Sequence, residues 1–176
     1  MIITLGGLSG SGTSTVGRML ADMLQLDIVS AGDMFRSMAK ERGVSLLELG
    51  KLAKVDPKID KMIDERQVEI AKKKNNVLIE GRLSGWMVDG DIKIWLKAPV
   101  DSRCNRVAFR EGISFDQALH DAKERDECDA KRHMELYQID INDLSHYDLV
   151  VDSSKWDKEG VAKILYASIK ALGDKK

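Results

Sequence analysis

The sequence predicts an α/β fold: a five-stranded parallel sheet flanked by helices. Two observations predict it. Short apolar, β-branched runs alternate along the chain with longer segments whose apolar residues recur every three or four positions, the alternation that βαβ units produce. A glycine-rich stretch, Gly7-Leu8-Ser9-Gly10-Ser11-Gly12-Thr13-Ser14, joins the first strand to the first helix. That is the setting in which a parallel sheet places a phosphate-binding loop.

Residues 1–6 are apolar and β-branched, like a buried parallel strand. After the glycine-rich stretch, Val16, Met19, Leu20, Met23 and Leu24 form one helical face. Residues 26–30 are the next strand, and a helix over about 33–41 stops at Gly43. Asp56-Pro57 opens another helix, with an oxygen acceptor at the cap and proline where no amide bond is needed. Ile59, Met62, Ile63, Arg66 and Ile70 give that helix its period, up to a break at 72–76. Residues 77–80, 92–97 and 147–152 read as three further strands. Between the last two, Ser114-Phe115-Asp116-Gln117 is a capping box opening a long helix to about residue 141. Val161, Ile164, Leu165, Ser168, Ile169 and Leu172 mark a final amphipathic helix.

Composition narrows the function classes. At 176 residues with 43% hydrophobic, 32% charged and only two prolines, the chain has the material for one domain with its own core. The longest apolar run, residues 164–167, is far short of the ~20 residues of a membrane helix. The N-terminus lacks the basic start and apolar stretch of a secretion signal. Cys104 and Cys128 fit neither a disulfide scaffold nor a CxxC metal pair, which predicts a reduced, cytoplasmic protein. A net charge of −1 argues against a broad nucleic-acid surface, and 5% aromatics without basic–aromatic alternation argues against base stacking on RNA. No Asn-Lys-x-Asp tetrapeptide is present to read guanine.

Six of the ten arginines nevertheless fall between Arg82 and Arg132. Arginine's planar fork matches phosphate oxygens, so the clustering predicts local anion recognition. In the loop, the glycines let successive amide N–H groups turn inward toward phosphate oxygens, and the following helix adds its positive dipole end. Ser14 stands where a hydroxyl ligates Mg²⁺, whereas Thr13 replaces the lysine of the general motif. Arg125, Asp129 and Arg132 share a helix face; Arg103, Arg106 and Arg110 share another, just before the hinge-like Glu111-Gly112. Glu80-Gly81-Arg82 ends a buried strand on the edge where open α/β sheets bind ligands. His120, His133 and His146 have no partner spacing and read as surface or packing residues.

With these motifs the chain resembles nucleoside monophosphate kinases, most closely the archaeal type of cytidylate kinase. The resemblance runs through Gly7–Ser14, Ser30-Ala31-Gly32-Asp33-Met34-Phe35-Arg36, Glu80-Gly81-Arg82-Leu83-Ser84-Gly85-Trp86 and Ile94-Trp95-Leu96-Lys97-Ala98-Pro99. It continues through Arg110-Glu111-Gly112, the segment 125–132 and Tyr147-Asp148-Leu149-Val150-Val151-Asp152. It implies a three-layer P-loop kinase fold in a single domain over 1–176, with mobile acceptor-binding (about 32–74) and lid (about 103–132) helical segments. It further implies transfer of the γ-phosphate of ATP, with Mg²⁺, to CMP and dCMP. Gly7, Leu8, Ser9, Gly10, Ser11, Gly12, Thr13, Ser14 and Thr15 would hold the donor, with Ser153 and Ser154 in the adenine loop. Ser30, Gly32, Arg36 and Glu80 would bind the acceptor, and Asp129 would face its sugar. Arg82, Arg106, Arg110, Arg125 and Arg132 would surround the transferring phosphates. Bacterial cytidylate kinases carry an aspartate after the arginine matching Arg82. This chain has Leu83 there, so the resemblance does not carry over the base-reading contacts. The expected protein is a monomer acting on small-molecule nucleotides, with no nucleic-acid or membrane partner. Two other readings stand beside it: a kinase for AMP, UMP or a small metabolite, and a non-catalytic ATP-binding regulator.

Overall fold

Backbone pairing arranges five strands in one sheet in the order β2-β3-β1-β4-β5, every neighbour parallel. The strands are β1 (Ile2–Gly7), β2 (Asp27–Ser30), β3 (Val77–Glu80), β4 (Ile92–Lys97) and β5 (Leu149–Asp152). The helices are α1 (Thr13–Leu24), α2 (Ala31–Arg42), α3 (Leu46–Val55), α4 (Lys58–Lys73), α5 (Ser84–Met87), α6 (Val100–Glu111), α7 (Phe115–Tyr137) and α8 (Lys158–Gly173). This computed structural model describes residues 1–173.

Both faces of the sheet are covered because successive side chains on a strand point to opposite sides. Ile3, Leu5, Leu78, Ile94 and Leu96 pack with Val16 and Leu20 of α1 and Val161, Leu165 and Ile169 of α8. Val77 and Ile79 point the other way, into a cluster with Ala71 of α4 and Val88 after α5. Two smaller clusters lie apart from the sheet. Ala39, Leu49, Ala53 and Ile59 tie α2, α3 and α4 together, and Cys104, Ala118 and Ala122 tie α6 to α7.

The strands match the predicted positions, β5 starting two residues later than the pattern suggested. Several helical features differ. α2 begins at Ala31, because Ser30 both ends β2 and caps the helix, its hydroxyl accepting from the Asp33 N–H at 3.1 Å. α7 stops at Tyr137 rather than near residue 141, because Gln138 takes a left-handed backbone (φ 56°) and its N–H closes onto the His133 and Met134 carbonyls. No glycine announces that stop. α3 was not anticipated, although Ser45 and Glu48 form a complete capping box. At Ser114 only half of the anticipated box exists: its hydroxyl accepts from the Gln117 N–H, while the Gln117 amide donates to Asp121. α4 begins at Lys58 with Pro57 at the cap, one residue later than anticipated; Asp56 ends α3, and its carboxylate still accepts the Lys58 N–H at 3.1 Å.

Candidate active site

Register brings the chemistry to one edge. Leu5 and Ser30 both pair beside Glu80, so the loop after β1, the start of α2 and the end of β3 meet at the carboxyl ends of the strands. Open α/β sheets bind ligands there. A cavity of about 760 Å³ opens over this edge, lined by residues 7–16, one face each of α2 and α4, Arg106 and Arg110 of α6, and Arg125 and Arg132 of α7.

The loop has the predicted character. Gly10 (φ 82°) and Gly12 (φ 99°) adopt left-handed backbone. A Cβ on Gly10 would also lie 2.5 Å from the Arg103 carbonyl oxygen, so only glycine fits. Gly12 caps α1 with no side chain, leaving the first amides of that helix without a side-chain acceptor. An N-terminus open in this way is suited to an anion.

Beneath the loop sits Glu80, 5% exposed. It accepts hydrogen bonds from the hydroxyls of Thr13 (2.6 Å), Ser14 (3.2 Å) and Ser30. Among the described residues no cation pairs with it. Buried carboxylates without a cation are costly, so this one marks a place where positive charge is expected from a ligand.

Across the cavity the arginines form one network. Arg82 pairs with Asp129 and, at 3.3 Å, with Asp126. Arg103 pairs with Asp126 at 2.9 Å and donates to the Ser9 carbonyl at 3.0 Å. Arg132 bridges Asp60 of α4 and Asp129, the latter at 2.8 Å. Arg125 reaches Asp129 only at 3.7 Å. Burial opposes charge on Asp129, but Arg82, Arg132 and Arg125 outweigh it and hold its carboxyl down at about 2. Burial and the adjacent Arg82 lower Arg125 to about 10, still protonated at neutral pH. Burial lowers His133 to about 4, so its imidazole is neutral there.

Each anticipated residue can now be placed. Gly7 through Thr15, Gly32, Arg36, Glu80, Arg82, Arg106, Arg110, Arg125, Asp129, Arg132 and Ser153 all line the cavity. Asp129, expected at the acceptor sugar, has both carboxylate oxygens on guanidinium groups and so holds the arginines in place. Ser30 is turned into the Glu80 cluster and does not reach the cavity. Ser154 also stays out of it, its hydroxyl donating to Asp152 at 2.6 Å. Arg106 clamps the loop from the far side, donating to the carbonyls of Gly10, Ser11 and Ser153. Arg110 lines the rim but pairs with its own neighbour Glu111 and is half exposed. Arg36 pairs with Asp33 at 2.7 Å.

Sequence reasoning missed Asp60, Asp64, Gln67 and Asp126, and it read His133 as ordinary. A signal existed in α4. Asp60 and Gln67 occupy the buried stripe with Ile59, Ile63 and Ala71, where apolar residues are the rule. Asp126 carried no local signal; its partners lie on other elements.

A family model described as the cytidylate kinase-like family matches residues 2–155. A cytidylate kinase of Methanococcoides burtonii is 50% identical over 173 residues, covering 98% of this chain and 99% of that relative. A cytidylate kinase of Pyrococcus abyssi is 53% identical over 176 residues, covering 99% of this chain and 97% of that relative. Among solved structures, a shikimate kinase from Aquifex aeolicus matches with a TM-score of 0.62 at 19% identity, over 98% of each chain. A protein from Eubacterium ventriosum matches with a TM-score of 0.72 at 20% identity, over 97% of this chain and 98% of that one. At those identities the structures speak for the fold alone, the three-layer P-loop kinase fold. The sequence matches go further: the chain belongs to the cytidylate kinase-like family.

Proposed function

We propose that this chain transfers the γ-phosphate of ATP to CMP, and to dCMP as well, producing the nucleoside diphosphate and ADP. The observation that carries the reading is one cavity with an open, glycine-rich helix start at one end and a buried arginine network facing it. In a chain of this family, that cavity has room for two phosphate chains laid end to end. Residues 32–74 are the acceptor-binding segment and 103–132 the lid of one domain over 1–176. Each segment has its own small apolar cluster, which supports reading them as units.

Phosphoryl transfer asks a protein mainly to align two nucleotides and neutralise charge on the moving group. The loop amides from Gly7 to Thr15 hold the donor phosphates, and Ser153 lies where the adenine end begins. Arg36 grips the acceptor phosphate, while Arg82, Arg125 and Arg132 face the transferring group. An acceptor phosphate oxygen forms the new bond to the γ-phosphorus as the bond to the β–γ bridging oxygen breaks. The electron pair leaves with ADP. A phosphate with a second pKa of ~6 is already a nucleophile at neutral pH, so no side-chain base is required.

Mg²⁺ suits the donor set. It takes oxygen ligands and is commonly held by one or two protein oxygens together with substrate phosphates. The Ser14 hydroxyl and the cation-free Glu80 carboxylate, 3.2 Å apart, would hold it. Held by Ser14 and Glu80, the ion would supply positive charge against the phosphate oxygens as negative charge develops on them. Ser14→Ala is therefore expected to raise the Mg²⁺ concentration needed for half-maximal turnover roughly 10–100-fold. Nucleotide binding measured without Mg²⁺ should stay near normal. Full activity of the variant at limiting Mg²⁺ would remove Ser14 from the metal site.

ADP release with CMP, dCMP, UMP, AMP and GMP as acceptors tests the proposal. CMP and dCMP should exceed the others by more than about tenfold in kcat/KM, because a wrong base leaves buried polar groups unpaired. AMP turned over as well as CMP would overturn the acceptor and leave the kinase standing.

A further inference from the structure

The acceptor end of the cavity contains polar groups that phosphate chemistry leaves unused. α4 presents Asp60, Ile63, Asp64 and Gln67 to it, spaced so that all four share one helix face. Gln67 is 1% exposed, and its Nε2 makes no hydrogen bond. Its amide lies against the backbone after β3: a Cβ placed on Gly81 would be 3.0 Å from that Nε2. On the facing wall His133 is 5% exposed and has a second such atom, Nδ1. Buried donors and acceptors in native proteins are nearly always satisfied. With the Ser11 Oγ at the loop end, three such exceptions line one cavity, and the two at this end point to a polar ligand that completes them.

The charge on these walls says which part of the ligand belongs here. Arg36, Arg82 and Arg125 draw phosphate toward the centre of the cavity. Asp60 and Asp64 repel it from the α4 wall, where Phe35 and Ile63 offer apolar surface for a flat ring. Asp64 accepts the Tyr137 hydroxyl at 2.7 Å through Oδ2 and makes no other hydrogen bond, so Oδ1 is available.

We propose that Asp64 and Gln67 read the acceptor's base, Asp64 accepting from the exocyclic amino group of cytosine and the Gln67 Nε2 donating to ring nitrogen N3. The assignment rests on the reading of this cavity as the CMP site. A carboxylate accepting from the cytosine N4 amino group is an established pairing in base recognition. Uracil reverses both atoms: its O4 would face a carboxylate and its N3–H would face an N–H. Adenine offers the same amino and ring-nitrogen pair, so these two residues exclude UMP, and the size of the pocket must exclude AMP.

The test is kcat/KM for CMP and for UMP at pH 8 in the wild type, Asp64→Asn and Gln67→Leu. Burial raises the Asp64 carboxyl to about 6, against the hydrogen bond from Tyr137, so it is ionised at pH 8. An acid raised on folding gives up stability as pH climbs from its ordinary 3.8 to about 6, and does not recover it above that. The neutral Asp64→Asn variant is accordingly expected to fold at least as well as the wild type. Its amide can donate to O4, so the CMP/UMP ratio should fall by about 30-fold or more. Gln67→Leu should lower kcat/KM for CMP by roughly 10–100-fold while leaving the KM for ATP unchanged. If either variant is too slow to assay, CMP-dependent and UMP-dependent shifts in Tm give the same ratio from binding. A wild-type CMP preference that persists unaltered in both variants overturns this base assignment alone. A wild type that phosphorylates neither nucleotide overturns the kinase reading beneath it.

Discussion

Arg125→Ala is expected to lower kcat by at least ~10²-fold with little change in Tm, whereas Arg132→Ala should lower both. The two arginines each sit about one helical turn from Asp129, on opposite sides of it, and sequence spacing treats them alike. Their surroundings do not. Asp129 has nearer partners than Arg125, which reaches it only at 3.7 Å. Removing Arg125 leaves that carboxylate fully paired with Arg82 and Arg132. Arg125 is the surplus positive charge, crowded by Arg82, and an anionic substrate relieves that crowding. Arg132 is different because Asp60 and Asp129 both depend on it. Losing it strands the buried Asp60 carboxylate and leaves Asp129 to Arg82 and the more distant Arg125, a change that costs about 3–5 kcal/mol for a broken buried pair. In a chain of this size that is roughly 6–20 °C in Tm. Measuring kcat at saturating nucleotides and Tm on both variants separates the roles. Normal kcat for Arg125→Ala would reduce the network to scaffolding.

The second large effect concerns the missing loop lysine. Arg106→Ala should lower kcat by about 10³-fold, the lower range for a positioned arginine in phosphoryl transfer. Combining it with Thr13→Lys should recover at least about tenfold. Arg106 makes more contacts to the loop than Arg103, donating to Gly10 at 3.2 Å, Ser11 at 3.3 Å and both the hydroxyl and carbonyl of Ser153, where Arg103 reaches only the Ser9 carbonyl. Opposite it, Thr13 donates to Glu80 at 2.6 Å, so a lysine there would meet a carboxylate that has no cation. Thr13→Lys alone should change kcat modestly, since its ammonium pairs with Glu80 while Arg106 already supplies charge. A double variant no faster than Arg106→Ala would show that the two positions do not share a role. A wild type that binds ATP yet releases no ADP, with Thr13→Lys switching turnover on, would favour the regulatory reading.

These contrasts explain what the sequence could and could not disclose. The loop from Gly7 to Thr15 was legible because its function is local: glycines, hydroxyls and a helix start lie next to one another in the chain. The five strands were legible because each is a short apolar, largely β-branched run, and the three central ones, β1, β3 and β4, are buried almost throughout. The pairing of Arg132 with Asp60 joins positions 72 residues apart, and spacing within α7 could suggest a face but not its partner. The same limit hid Asp126, whose arginines come from β3's edge and from α6. The end of α7 was illegible for another reason: Gln138 adopts a backbone normally left to glycine or asparagine. α3 was legible through Ser45 and Glu48, a box as plain as the one at Ser114 and more fully formed.

One feature of α7 bears on how the two nucleotides influence each other. From a single rigid helix, Lys51 of α3 is held by Glu124, and Asp60 and Asp64 of α4 are held by Arg132 and Tyr137. The same helix carries Asp126, which pairs with Arg82 and with Arg103, the latter donating to the Ser9 carbonyl of the glycine-rich loop. Any ligand that repositions α4 therefore acts on a helix the other ligand also uses. Thermodynamic reciprocity then applies: whatever factor CMP contributes to ATP affinity, ATP contributes to CMP affinity. Breaking the Tyr137–Asp64 contact should shrink that factor for both nucleotides by the same amount, leaving each able to bind alone.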